Sequence, residues 1–226
     1  MSDAPFPKVT LKLATSLDGR IATSKGQSQW ITGTEARAQV HHLRAEHDVV
    51  LVGSGTALAD DPMLNVRTNP PSNKQPVRMV VDSQLRTPLT HKLVQTAREY
   101  KTIIACGMNL KEKAEYPFME HGVEVWSLPI APIEGVSLRA LLARCAEEGI
   151  ETLFLEGGGK LAASFLKANL VDRIEWFRAP IVIGGDGIAC LASLGIERLD
   201  EVTGWHRMRL ETCGVDVWES FSRKMD

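Results

Sequence analysis

The chain has 226 residues, with 26 Lys+Arg against 28 Asp+Glu for a formal charge of −2 and a pI near 6.3. Hydrophobic residues at 44% and charged residues at 24% exclude a disordered chain, and the balanced charge excludes the basic footprint of a duplex-binding protein, so no nucleic-acid partner is expected. The length suits one α/β domain over residues 1–226, with a core of about 8–219.

Short β-branched runs recur at residues 9–14, 48–52, 77–81, 102–105, 123–126, 152–155, 173–177 and 215–218. Bounded by Gly, Asp or Pro, they read as buried strands. Residues 34–45 read as a helix leading into the second run, with Thr32 and Glu35 spaced as a capping box. In 137–149 the apolar residues Leu138, Leu141, Leu142, Cys145 and Ala146 share one face, with Ser137 as N-cap and Gly149 at the C-terminal end. A third helix starts within 157–159 and runs to about Ala168. Helix-then-strand alternation implies an α/β fold with a mixed, mostly parallel sheet flanked by helices and an antiparallel edge at the C-terminal end. Residues 68–76 form a surface loop. Residues 1–8 carry no apolar leader segment, and no apolar run approaches the ~20 residues of a membrane span. A cytoplasmic protein without a membrane partner is therefore expected.

Four regions could carry chemistry. Lys12 is written into an otherwise apolar strand, so it must sit on an edge or reach a polar cavity; the turn after it, Ser16-Leu17-Asp18-Gly19-Arg20, is by itself an ordinary loop. Trp30 is either core or site, and Arg37, His41 and Arg44 form one helical stripe that could be merely solvated. Residues 53–67 follow a strand as a loop in which one of the adjacent Asp60 and Asp61 must face solvent or a cation. Glu156-Gly157-Gly158-Gly159-Lys160-Leu161-Ala162 joins a strand end, three glycines and a helix start, where free N–H groups and the helix dipole suit an anion. Residues 183–187 are a second glycine loop that also reads as a plain turn. Cys106, Cys145, Cys190 and Cys213 are isolated and read as reduced fillers, and no metal site is expected. The zinc-deaminase signature and a serine nucleophile elbow are both lacking.

Taken in order, Lys12, Ser16-Leu17-Asp18-Gly19-Arg20, Gly26-x-Ser28-x-Trp30-Ile31-Thr32, Arg44, Gly55-Thr56-x-x-x-Asp60-Asp61-Pro62-x-Leu64-x-x-Arg67, Asp82-Ser83, Glu156-Gly157-Gly158 and Gly184-Gly185-Asp186-Gly187 resemble the reductase domain of riboflavin biosynthesis, here without its deaminase half. The resemblance implies a dihydrofolate-reductase-like fold, a homodimer, and NADPH-dependent reduction of the ribosyl group of 5-amino-6-(5-phosphoribosylamino)uracil. It places Ala14, Trp30, Thr56, Asp60 and the helix start 158–164 on the dinucleotide, with Gly157 alongside and Ser83, together with Arg86, at the 2′-phosphate. Ser28, Arg44, Leu64, Arg67 and Glu156 would hold the phosphorylated pyrimidine, the two arginines suiting its phosphate. Asp60 or Glu156 would stabilise a protonated imine, and Lys12 would bond sugar hydroxyls or donate a proton; which does which stays open. Three alternatives also stay open: the undeaminated 2,5-diamino substrate, another small imine such as dihydrofolate, and a non-catalytic nucleotide-binding module of the same fold.

Overall fold

The computed structural model describes residues 5–111, 113–131 and 135–224; the first four positions of the segment read as leaderless lie outside them. In chain order the elements are β1 (Lys8–Thr15), β2 (Arg20–Ala22), α1 (Thr34–Glu46), β3 (Val49–Gly53), α2 (Ser54–Asp60), β4 (Val77–Val81), α3 (Lys92–Gln95), β5 (Thr102–Gly107), α4 (Tyr116–Glu120) and β6 (Glu124–Leu128). There follow β7 (Ile130–Ala131), β8 (Gly135–Val136), α5 (Leu138–Glu147), β9 (Thr152–Glu156), α6 (Gly159–Lys167), β10 (Arg173–Arg178), β11 (Ile188–Ala189), β12 (Trp205–Cys213) and β13 (Asp216–Arg223). They divide into two compact units, Met1–Lys8 with His41–Phe154 and Val9–Val40 with Leu155–Asp226.

In the first unit β3, β4, β5 and β6 pair in parallel, with Val49 opposite Val77, Arg78 opposite Thr102 and Ile103 opposite Glu124. Continuous apolar runs make this possible: Val50, Leu51, Met79, Val80, Ile103 and Ile104 are fully buried, as strands covered on both faces require. Each such side chain contributes about 1.5–3 kcal/mol by leaving water. The start of β9 is fastened beside β3 by Asp48, whose carboxylate accepts the Thr152 N–H, the Thr152 hydroxyl and the Glu151 N–H. Helix α5 turns Leu141, Leu142 and Cys145 inward. Its Ser137 cap accepts the Ala140 N–H at 3.4 Å, the cap and face read from the sequence.

In the second unit β1 pairs in parallel with β10, and β13 runs antiparallel between β10 and β12. This supplies the expected antiparallel edge. Helix α6 buries Ala162, Ala163 and Phe165. The class is α/β, with mixed, mostly parallel strands flanked by helices.

Three expectations are corrected. Residues 54–60, read as loop, form α2; its brevity and the Gly55 within it hide the helical period. Helix α1 opens at Thr34, so Gly33 and not Thr32 flanks it, and the Gly33 N–H is held by Asp216 Oδ2 at 2.6 Å. Strand β12 was not expected at all. Most of it faces solvent on both sides and it carries His206, Arg207, Arg209 and Glu211, the charged dress of an edge strand.

Candidate active site

The first unit holds one stretch of backbone with several polar side chains. The stretch 61–67 follows α2 with Asp61 and Leu64 in the left-handed region, at φ 40° and 52°. Four side chains hold its backbone. Arg78 donates to the Met63 carbonyl at 3.2 Å and Arg44 to the Asn65 carbonyl at 2.9 Å. Gln75 accepts the Val66 N–H at 2.8 Å and donates to the Val66 carbonyl at 3.0 Å, copying a strand ladder with one amide. His41 Nδ1 accepts the Arg67 N–H at 3.2 Å. The Arg67 side chain stands exposed on this platform and Leu64 is buried beneath it. Arg78, 0% exposed, gives the platform its anchor, with further bonds to Thr102, Thr96, Leu93 and Tyr100. These acceptors are uncharged, and burial lowers the Arg78 pKa to about 10.

The two adjacent aspartates separate as charge repulsion demands. Asp61 takes the Lys92 N–H at 2.7 Å and lies 3.7 Å from the His91 ring nitrogen. Asp60 closes α2 at the surface, and partial burial of its carboxyl raises its pKa above the ordinary aspartate value. Thr56 lies within α2. Ser83 spends its hydroxyl on the Val136 N–H at 3.1 Å, while Arg86 is exposed and donates to Ser54 Oγ at 2.8 Å. Just ahead of them in the chain, Asp82 is fully buried and accepts the Thr87 N–H and hydroxyl.

The second unit carries the lysine, the tryptophan and the glycines. Lys12 lies opposite Glu175 in the β1–β10 register, and Ala14 opposite Phe177, so these side chains share one face of the sheet. Glu175, 0% exposed, accepts Trp218 Nε1–H at 2.6 Å and the Ser220 hydroxyl at 2.5 Å, with Arg173 paired to its other oxygen. Lysine in a central strand is thus accommodated on a polar face. After β1, Asp18 accepts the Ser16 hydroxyl and the N–H groups of Ile183 and Gly184, which hold its carboxyl far below the usual range. That web ties the Asp-Gly turn to the second glycine loop, which is a turn closed by the Gly187 N–H on the Gly184 carbonyl.

Trp30 is 69% exposed, follows a cis peptide at Gln29, and has the Arg37 guanidinium 4.6 Å from its ring centre. It lines a cleft of about 280 Å³ with Arg37, Pro180 and Asp216. A larger, apolar cavity of about 480 Å³ uses Leu11, Leu13, Ile174 and Trp176, on the opposite face of the strands from Lys12, and contains none of the predicted site residues. Gly157 and Gly158, at φ 77° and 83°, open α6 in a conformation that side chains resist. A Cβ on Gly159 would lie 3.0 Å from the Cys190 carbonyl oxygen, so the backbone there is packed directly on residues 189–190. The three glycines are partly exposed, Lys160 is exposed, Leu161 half-buried and Ala162 buried inward. Glu156 ends β9 buried, and Ser28 is half-buried ahead of Trp30. All four cysteines are free.

Of the predicted residues, the first unit gathers Arg44, Leu64 and Arg67, and the second places Glu156 directly before the Gly157–Gly158 opening of α6. His41, Gln75 and Arg78, which hold the backbone of 63–67, and Asp216, which holds Gly33, were not among the residues singled out from the sequence. They act on backbone atoms, and only the helical stripe of His41 with Arg44 hinted at any of them.

Residues 7–218 match the family model described as the RibD C-terminal domain. The chain is 42% identical over 212 residues to a riboflavin biosynthesis protein RibD of Actinobacillus pleuropneumoniae, covering 93% of this chain and 55% of that protein. It is 36% identical over 220 residues to a 2,5-diamino-6-ribosylamino-4(3H)-pyrimidinone 5′-phosphate reductase of Methanothermobacter thermautotrophicus, covering 96% of this chain and 99% of that one. Among solved structures, Acinetobacter baumannii RibD superposes with a TM-score of 0.84 at 28% identity, over 97% of this chain and 59% of that one. A dihydrofolate reductase of Enterococcus faecalis shares the fold, with a TM-score of 0.53 at 12% identity over 96% of this chain and 97% of that one. The chain spans little more than half the length of the RibD proteins it matches. It is a member of the RibD C-terminal domain family.

Proposed function

We propose that this chain is an oxidoreductase of riboflavin biosynthesis that reduces the ribosyl group of 5-amino-6-(5-phosphoribosylamino)uracil to the ribitylamino compound with NADPH. The observation that carries the reading is the locked stretch 63–67, which presents the exposed Arg67 two residues after the carbonyl that Arg44 grips. A guanidinium on a preformed platform binds phosphate without first having to order the loop beneath it.

The residues present fit a dinucleotide. The left-handed Gly157–Gly158 pair bares the amides at the start of α6, and Trp30 exposes an aromatic face. Ala14, Trp30, Thr56, Asp60 and 157–162 would hold it, with Ser83 and the exposed Arg86 offered to an added phosphate. When bound, the nicotinamide supplies a hydride. The chain's own groups do the rest: Arg44 and Arg67 fix the sugar phosphate, and Glu156 or Asp60 holds positive charge on the opened imine. Lys12 hydrogen-bonds the sugar hydroxyls or delivers the proton that accompanies the hydride.

Mixing the purified chain with this substrate and NADPH should deplete NADPH in proportion to ribityl product. No turnover on either the deaminated or the 2,5-diamino pyrimidine defeats the reading. A second reading, the 2,5-diamino substrate, is favoured by the near full-length match to a reductase named for it. The ratio of kcat/KM for the two pyrimidines decides between them.

A further inference from the structure

We infer that Asp216, the first residue of β13, is a positioning residue that sets the Trp30 loop for the cofactor; the inference rests on the reading of Trp30 as a dinucleotide contact. Segment 24–30 is exposed apart from the half-buried Ser28, and it re-enters ordered structure at Gly33. There the Gly33 N–H donates to Asp216 Oδ2 at 2.6 Å, across 183 positions of sequence. Asp216 is 1% exposed, and among the described residues its other oxygen, Oδ1, is buried without a hydrogen-bond partner. A buried carboxylate with half its acceptor capacity unused is an expensive way to hold one N–H. Its worth lies in what that N–H begins: α1, and just ahead of it Trp30.

Arg37, one turn into α1, completes the arrangement. Its guanidinium donates to the Thr32 carbonyl at 2.7 Å and the Thr34 hydroxyl at 3.1 Å, and stacks over Trp30. The loop is therefore held at its C-terminal end, at Gly33 by Asp216 and at Trp30 and Thr32 by Arg37. Both line the same cleft as Trp30. One face of the indole is covered by the guanidinium, and the ring's high exposure leaves it open to a planar partner. The start of β13 is thus part of cofactor recognition, although the Asp216 side chain need not touch the cofactor.

The test compares Asp216→Ala with Asp216→Asn in the full chain. Asn still offers a side-chain oxygen to the Gly33 N–H, whereas Ala offers none. Asp216→Ala should raise the NADPH KM, and the NADPH Kd read from quenching of tryptophan fluorescence, by about tenfold. The substrate KM should stay within twofold, and Asp216→Asn should restore NADPH affinity to within about threefold. If Asp216→Ala is not recovered folded, Arg37→Leu removes the other hold on the loop and should raise the NADPH Kd with the same selectivity. An unchanged NADPH Kd in the Ala or Leu variant overturns the inference. So does an Asn variant as weak as Ala, or a parallel rise in both KM values. A wild-type chain that binds NADPH without turnover overturns only the catalytic reading, because the Kd comparison still runs; one that binds no NADPH overturns both.

Discussion

Residues 61–67 in the first unit and residues 23–33 in the second both carry predicted ligand-binding side chains, yet they are held in opposite ways. In the first stretch Arg78, Arg44, Gln75 and His41 take up backbone groups from Met63 to Arg67 almost one after another. The second is closed by a local turn, in which the Thr23 N–H donates to the Gln27 carbonyl and the Gly26 N–H to the Thr23 carbonyl, and is then fastened at Gly33 and Thr32. The lesson is one of preorganisation. On the proposed function, a compact phosphate would meet a surface built in advance, while a long dinucleotide would meet a strap tied at its end.

The variant with the largest expected effect attacks the first arrangement at its root. Arg78→Met takes the guanidinium donor from the carbonyls of Met63, Leu93, Thr96 and Tyr100, although Thr96 keeps the N–H groups of Glu99 and Tyr100 and Tyr100 keeps the Thr102 hydroxyl, and should cost about 3–5 kcal/mol in urea unfolding. It should also raise substrate KM; a normal KM would mean that stretch 63–67 holds its own shape. Arg67→Ala should raise substrate KM about 10- to 100-fold with NADPH KM unmoved, as loss of charge-assisted bonds to a phosphate implies. Gln75→Ala should raise substrate KM about fivefold by freeing Val66, measured with the cofactor saturating.

The smallest effects sharpen the comparison through pH, because Asp18 and Asp60 respond with opposite sign. The Asp18 carboxyl is lowered by its hydrogen bonds, so its stabilisation is present above the unfolded aspartate value near 3.9 and fades as pH falls towards the folded value. Asp18→Asn should therefore melt below wild type at pH 7, and the gap should narrow in acid. The Asp60 carboxyl is raised by burial, so ionising it opposes folding as pH rises through the window above about 3.9. Asp60→Asn should melt slightly above wild type at pH 7 and equal to it near pH 3. Melting curves across that range that move both variants in one direction would refute the assignment.

The central strands were legible because Val, Ile, Leu and Met in unbroken runs can only be buried on both faces, as Met79, Val80, Ile103 and Ile104 are. Strand β12 was not, since an edge needs charge rather than apolar alternation. Within the candidate site, Gly157–Gly158 stood out by residue type, whereas Arg44 and Arg67 were singled out by the family resemblance. His41, Gln75, Arg78 and Asp216 stayed silent because each spends its side chain on a distant main-chain atom. A residue pattern records which side chains face a core, not which amide or carbonyl a polar group will find after folding.

The Gln75 amide sews Val66 to the far end of the loop, leaving the chain from Thr68 to Lys74 as a bight outside the stitch. Added or deleted residues at its outermost point, around Ser72 and Asn73, are absorbed there without disturbing the footing of Arg67. A fluorescent label attached there should therefore ride along without disturbing the hydrogen bonds that hold Met63 to Arg67.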